Sequence, residues 1–554
     1  MVDLSLLRMY SLCYENIFVN NVPISFLGSA FFLNHDRIFV VEDSFAGRCS
    51  CMKNTVSVTF FICLFGLSWY FFSEQLQIEI FRYLSIIISI SVLFIGVMIF
   101  FENRHPTQTL TWLVVFGSFP LVGFIFYLLF GRSYRKEKVF RKKYFLDKQA
   151  FNTNRGEHDP VSEEKLVQLG DHRQKLFALA QKIGNSPISF ATSTKVLTNG
   201  EESFRDILLE LRKATHHIHL EYYIVRHDDL GNEIKEILVE KVKQGVKVRF
   251  LYDAVGSWQL SKKFINELSQ AGIEMVAFGP VKLPFLNSKF NFRNHRKIIV
   301  IDGTVGFVGG LNIGDEYLGR VESFGFWRDT HLMITGEAVR TLQLIFLQDW
   351  YYMTNDSFLT VEYLSPHLEE NIHGGVQLIS GGPDNELSVI KNIFFSMITS
   401  ARESVWIATP YFIPDEDIFS AIKIAALSGI DVRILVPQRP DKRIVFHASR
   451  SYFPELLDAG VKIYEYKKGF MHSKIVIVDH ELASIGTSNM DMRSFHLNFE
   501  VNAFLYRTRS TQKLVDEYIL DIQESIQIES VTFNKRHLGL RLLESTSRLL
   551  SPLL

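Results

Sequence analysis

The stretch NHRKIIVIDGTVGFVGGLN (residues 294–312) returns as MHSKIVIVDHELASIGTSN (residues 471–489). Both copies read His-x-Lys-x4-Asp followed, six residues later, by Gly-x-x-Asn. The first supplies His295, Lys297, Asp302 and Asn312, and the second His472, Lys474, Asp479 and Asn489. Residues two apart on a strand share a face, so His and Lys are expected to project together from a strand. An apolar run then carries the chain to Asp at a turn, and a second strand ends in the glycine loop that presents Asn.

The repeat extends outward from these motifs. Ile218–Tyr223 (IHLEYY), Gln244–Asp253 (QGVKVRFLYD) and Leu268–Phe278 (LSQAGIEMVAF) have counterparts in Val405–Phe412 (VWIATPYF), Ser428–Pro437 (SGIDVRILVP) and Leu456–Tyr466 (LLDAGVKIYEY). Each holds a short β-branched strand, entered from a stretch with helical spacing of apolar residues, which predicts an α/β fold around a buried sheet. The chain therefore reads as two tandem copies of one α/β unit, at 201–355 and 381–554, joined by a linker at 356–380. Internal repetition of this kind organises a fold more firmly than any single motif.

The chemistry of the motif suits phosphate. Histidine works as nucleophile or as acid and base near neutral pH. Lysine and an asparagine amide supply charge and donors for non-bridging oxygens. Two sets give one histidine to attack and a second to protonate the leaving oxygen. A lone His-x-Lys is no more than a satisfied strand pair, but the same spacing at equivalent points of a repeat points to one shared site.

The duplicated motif resembles that of the phospholipase D superfamily. ENRHPTQTLTWL, FGRSYRK, EYYIVR, FRNHRK, GGLNIGDEYLG and GTSNMDMRSFHLNFE resemble the bacterial cardiolipin synthases within it, over residues 55–554. The resemblance implies two phospholipase D-like units sharing one active site and a ping-pong transfer that needs neither metal nor cofactor. One phosphatidylglycerol is attacked by histidine, glycerol leaves, and a second phosphatidylglycerol resolves the phosphatidyl-histidine to cardiolipin. It implies His295 as nucleophile and His472 as general acid, then base. Lys297, Lys474, Asn312 and Asn489 would hold phosphate oxygens, and Asp329 and Glu500 would orient the imidazoles. Asp302 and Asp479 count with the catalytic motif, although their place in it suggests a supporting part. A water-using hydrolase releasing phosphatidic acid would share every one of these residues. A non-catalytic membrane scaffold would be expected to have lost part of a motif.

The 554 residues are 47% hydrophobic and 21% charged, with a formal net charge of −1, and the apolar excess sits at one end. Residues 55–73, 83–101 and 110–130 carry no charge. As helices each measures roughly 28–32 Å, close to the ~30 Å of a bilayer core, so three spans are expected within an anchor at 55–131. Eight basic and two acidic residues follow between 132 and 148. That excess places the catalytic part in the cytoplasm and draws it to anionic lipid. A multi-pass protein of the bacterial plasma membrane is expected. The stretch 132–200 reads as a basic juxtamembrane and linker region. Residues 1–54 form an N-terminal extension in which Met52 is read as the start.

Residues 149–554 carry 45 basic and 50 acidic side chains, which disfavours a nucleic-acid partner, and the sequence specifies no oligomeric state. All four cysteines lie at or before residue 63, so the catalytic part has no Cys-based metal site. His216, His217 and His219 resemble a metal cluster but lack a third ligand type at suitable spacing. The first half holds eleven extra residues around GPVKLPFLNSKFNFR, with Phe285, Leu286, Phe292, Lys289 and Arg293, expected as a membrane-facing lip or an ordinary packed loop. The C-terminal RLLESTSRLLSPLL reads as an interfacial or a packed terminal helix.

Overall fold

The computed structural model describes residues 171–553 except 281–290, 323–324, 366–367, 370–372 and 386. Before residue 171 it describes 33–34, 37–38, 74–101, 106–118, 123 and 143. The chain divides into two compact units, Met1–Leu121 and Val122–Leu554.

In the first unit, helix α1 (Glu74–Phe101) is followed by α2 (Pro106–Ser118). Its stretch Phe81–Phe101 is 21 residues long and apolar enough to cross a membrane. At 13 residues α2 is about 20 Å long, short of a bilayer core. The expected span at 55–73 and most of 119–130 lie outside the described residues.

The second unit repeats one topology. After α3 (Asp171–Gly184), the first half contains β1 (Thr192–Thr198), α4 (Asn199–Lys213), β2 (His217–Tyr222), α5 (Asp229–Lys243) and β3 (Lys247–Asp253). It continues with α6 (Lys262–Gln270), β4 (Glu274–Phe278), β5 (Arg293–Asn294), β6 (Ile298–Ile301), β7 (Val305–Gly309), β8 (Phe326–Arg328), β9 (Thr330–Gly336) and α7 (Ala338–Thr354). The second half contains β10 (Gly375–Gly381), α8 (Val389–Thr399), β11 (Ser404–Ala408), α9 (Glu416–Leu427), β12 (Asp431–Pro437), α10 (Arg443–Arg450) and β13 (Lys462–Tyr466). It closes with β14 (Gly469–Met471), β15 (Ile475–Val478), β16 (Leu482–Gly486), β17 (Asn498–Tyr506), α11 (Arg509–Gln523), β18 (Ser525–Gln527) and α12 (Leu538–Arg548).

The first sheet runs β1-β9-β7-β6-β2-β3-β4 and the second β10-β17-β16-β15-β11-β12-β13-β18, so seven positions correspond one to one. Strands β2, β3 and β4 pair in parallel through crossover helices, as do β11, β12 and β13. Local chemistry sets the helix starts: Asp228, Ser261 and Asp415 accept from the backbone N–H groups of Gly231, Phe264 and Ile418. Strands β1 and β10 fall in stretches expected as linkers. The polar TSTKVLT of β1 has no buried apolar run to announce it, and its register with β9 makes it a strand.

Apolar residues of both sheets share one cluster. Val300, Leu332 and Ile334 meet Leu378, Ile477 and Leu505, with Leu342 of α7 and Leu514 of α11 filling between them. Burial of such side chains, roughly 1.5–3 kcal/mol each, joins the halves into one body. An ionic clamp adds to it. Arg328, at the end of β8, donates through Nε to Asp521 Oδ1 (2.7 Å) and lies 3.3 Å from Glu517 Oε2, both on α11.

The eleven-residue insertion falls largely on 281–290, outside the described residues. Its last two expected lip residues do not face lipid. Phe292 is buried with Phe278 and Trp350, and Arg293 pairs with buried Asp253 at 3.3 Å. The three histidines also have ordinary work: His216 Nε2 lies 2.9 Å from Glu362 Oε1, Gln343 bridges His217 and His219 at 3.1 and 2.7 Å, and His219 stacks on Phe346.

Removing one partner of a buried ion pair strands the other charge. Arg328→Met, which strands Asp521, should therefore lower unfolding stability by about 3 kcal/mol or more in denaturant titration of the detergent-solubilised protein. A loss below about 1 kcal/mol, the level of an exposed pair, would remove Arg328 from the forces joining the halves.

Candidate active site

Each half lends the other a strand at the site. Strand β5 pairs in parallel with β17, and the His295 N–H donates to the Phe499 carbonyl at 2.9 Å. Strand β14 pairs in parallel with β8, and the His472 N–H donates to the Arg328 carbonyl at 2.7 Å. The expectation that His and Lys sit on a regular strand is thereby corrected. His295–Lys297 and His472–Lys474 lie just before β6 and β15, where the backbone leaves its own ladder to bond across to the other half.

That crossing brings each imidazole to a carboxylate of the opposite half. His295 Nδ1 lies 2.9 Å from Glu500 Oε2, and His472 Nδ1 lies 2.6 Å from Asp329 Oδ2. Both carboxylates are fully buried, while the imidazoles retain about a tenth of their surface. Nδ1–H donation to a carboxylate fixes the tautomer and leaves Nε2 for chemistry. Aromatic rings hold the imidazoles from the side, Tyr223 at 4.9 Å from His295 and Trp327 at 4.9 Å from His472.

The carboxylates differ. Glu500 also accepts from Thr487 Oγ1 (2.5 Å) and Asn498 Nδ2 (3.1 Å), yet burial pushes its carboxyl up to about 7. Asp329 also accepts from the Thr330 N–H at 2.8 Å. Burial disfavours its charge, but His472 and Lys474 outweigh that and hold it below the ordinary carboxylate range. Glycine permits the second arrangement: a Cβ on Gly310 would lie 2.0 Å from Asp329 Oδ1. Its counterpart is Thr487, whose hydroxyl serves Glu500.

Lys297 donates to the His295 carbonyl at 2.6 Å and Lys474 to the His472 carbonyl. Burial, with each lysine's charge opposing the other's, lowers Lys297 to about 7; burial lowers Lys474 to about 8. The same burial and the two lysines hold His295 well below its ordinary value, and burial with Lys474 holds His472 down to about 4. The charges of both motifs thus meet in one centre, whose electrostatics would favour an anion. Lys442 and Arg493 add to the positive field at His295.

Asn312 accepts from the Ile224 N–H at 3.0 Å and donates to Tyr317 Oη at 3.2 Å, whereas buried Asn489 Oδ1 has no hydrogen-bond partner among the described residues. Asp302 and Asp479, counted with the catalytic residues from sequence, are corrected to a structural place. A four-residue strand, about 13 Å, separates each from its histidine. Asp302 accepts from the N–H groups of Thr215, His216 and His217, and Asp479 from those of Arg402, Glu403 and Ser404 and from Arg173. They pin the starts of β2 and β11 from hairpin turns whose paired positive φ values, at Asp302-Gly303 and Asp479-His480, suit the type I′ geometry.

Sequence reading passed over a network behind His295. Arg296 pairs with buried Asp349 and donates to the Glu500 carbonyl at 3.2 Å; Lys143, from the basic run, lies 2.9 Å from Asp349 and 3.5 Å from Asp384. A charged residue between His and Lys of a motif otherwise facing an apolar run was the available signal.

A family model described as "Cardiolipin synthase, PLD-like domain" matches residues 207–350 and 394–522, and one described as "Phospholipase_D-nuclease N-terminal" matches 84–132. A cardiolipin synthase of Alkalihalophilus pseudofirmus is 64% identical over 504 residues, covering 91% of this chain and all of the relative. A probable cardiolipin synthase of Bacillus subtilis is 43% identical, covering 89% and 98%. The crystal structure of a phosphatidylserine synthase of Haemophilus influenzae Rd KW20 shares the fold, with a TM-score of 0.52 at 16% identity over 69% of this chain and all of that one. With its doubled motif, exchanged carboxylates and relatives matched along their whole length, this chain belongs to the cardiolipin synthase family of phospholipase D-like proteins.

Proposed function

We propose that the protein makes cardiolipin by transferring the phosphatidyl group of one phosphatidylglycerol to the hydroxyl of another, through a phosphatidyl-histidine. The observation that carries this reading is the pair of crossed His–carboxylate contacts, His295–Glu500 and His472–Asp329, within one doubly cationic centre. His295 Nε2 attacks phosphorus, the P–O bond to glycerol breaks, and His472 gives its Nε2 proton to the departing oxygen. His472, now neutral, takes the hydroxyl proton of the second lipid, whose oxygen displaces His295 as the P–N bond breaks. Lys297, Lys474 and the amides of Asn312 and Asn489 hold the non-bridging oxygens.

The difference between the carboxylates supports this order. Ionised Asp329 favours an imidazolium at His472, the state a general acid needs. An arriving phosphodiester opposes the lysine field that keeps His472 neutral. His295, beside the less acidic Glu500, is the better source of a free lone pair.

Phe81–Phe101 supports a membrane-spanning anchor, and the basic run at 132–148 supports a cytoplasmic catalytic part. We read the adjoining apolar runs 55–73 and 110–130 as further spans on their length alone.

Purified protein given only phosphatidylglycerol should release glycerol and cardiolipin in equal amounts, and His295→Ala and His472→Ala should each abolish both. Phosphatidic acid as the main product would make the protein a hydrolase, and cardiolipin from both variants would end the histidine mechanism. The pH profile of kcat/KM should be a narrow bell near pH 7. Below about 7 Glu500 is protonated and His295 presents Nε2–H rather than a lone pair; above about 7 to 8 Lys297 and then Lys474 lose charge. Glu500→Gln should slow the reaction by about 10²–10⁴-fold and remove the acidic limb; an unchanged limb would detach it from Glu500. Gly310→Ala, which drives a methyl into Asp329, should lower kcat on the order of 10²-fold in the same assay.

A further inference from the structure

Helix α12 is built inside out. Its buried positions are Glu544 and Ser547, while Leu538 (80% exposed), Leu542 (70%) and Leu549 just past its end (80%) face outward. An ordinary surface helix turns its apolar stripe inward. Here the inward contacts are polar. Glu544 receives Arg536 at 2.9 Å and lies 3.6 Å from Arg450 of α10, and Ser551 meets Tyr452 Oη at 3.1 Å. Arg536 in turn stacks over Phe533, which is buried in the core of the second half. The helix is therefore fixed in place with its leucines displayed, and Val531 (70% exposed) precedes it.

Charge identifies what the leucines meet. Residues 531–553 contain Lys535, Arg536, Arg541 and Arg548 against the single acid Glu544, which is buried and paired. Lys535 and Arg541 are exposed and form no ion pair with any described carboxylate. Exposed leucines bordered by unpaired cations match an interface of acyl chains and anionic head groups. The location agrees. Helix α12 packs on α10, and immediately before α10 stands Lys442, whose charge reaches His295; Lys442, Arg443 and Ile444 are all exposed there.

We propose that the leucine face of α12 docks on the anionic bilayer surface and sets the lip of the active site, marked by Lys442, against the lipid it draws from. The inference rests on the lipid substrate read above and adds a second membrane contact, remote in sequence from the anchor.

The test uses the full chain in vesicles of phosphatidylglycerol diluted in phosphatidylcholine, with benzoylphenylalanine in place of Leu542. Irradiation should give a phospholipid adduct by mass; an adduct joining two copies of the chain, or no lipid adduct, overturns the proposal. Because labelling is read without turnover, a lipid adduct without cardiolipin formation would discard the proposed reaction and leave the docking face standing. Leu542→Glu combined with Leu549→Glu should lower the rate on vesicles at least ten-fold. The thermal midpoint and the rate on monomeric short-chain phosphatidylglycerol should stay unchanged. An unchanged vesicle rate, or equal loss on both substrates, overturns the docking face.

Discussion

Everything at the site depends on two short parallel strand pairings, Arg293–Asn294 with β17 and β8 with β14. Each is two or three residues long and would be negligible alone. Their effect is positional: they carry a histidine backbone N–H onto the other half's strand, next to that strand's carboxylate. Buried backbone groups must find partners, so the His-x-Lys segments cannot return to their own ladders without leaving the crossing bonds unmade. The shared apolar cluster and the Arg328 clamp hold the halves close enough for these bonds to form.

The electrostatics follow from the same crossing. Two lysines, two histidines and two carboxylates are taken out of water into one place, and the lysines respond by losing affinity for protons. A phosphodiester bound in this centre would restore lysine charge, so the proposed substrate binding is linked to proton uptake. The two carboxylates escape equivalence because their surroundings differ: a threonine hydroxyl and an asparagine amide reach Glu500, whereas Asp329, close against the Gly310 backbone, accepts from the Thr330 N–H, the Trp327 indole N–H and its histidine.

Much of this was legible in the sequence. The parallel trios were visible because short strand-forming runs such as Val248–Leu251 and Val432–Val436 follow glycine turns; the motif spacing named both histidines and both lysines, and the family resemblance named both carboxylates. The crossing itself was hidden, since a two-residue strand has no periodicity to read. Asp302 and Asp479 count with the catalytic motif, although their place in it suggests a supporting part; in the fold they pin the starts of β2 and β11 at hairpin turns, which spacing along a strand does not specify. Strands β1 and β10 were missed for their polar or glycine-bounded sequences, and Arg296 because its partner Asp349 lies 53 positions away.

The crossed contacts have the pattern of an isologous dimer, in which a feature of one partner touches a feature of the other and the reverse contact is made as well. In a true homodimer, every such pair must be chemically identical. Here one covalent chain holds both partners, and the equivalents have drifted apart: Gly303 against His480, Gly310 against Thr487, Arg296 against Ser473, and Asp329 against Glu500. The proposed reaction, in which one imidazole gives up a lone pair while its twin gives up a proton, is not served best by two identical environments. Covalent duplication is what frees the two to specialise.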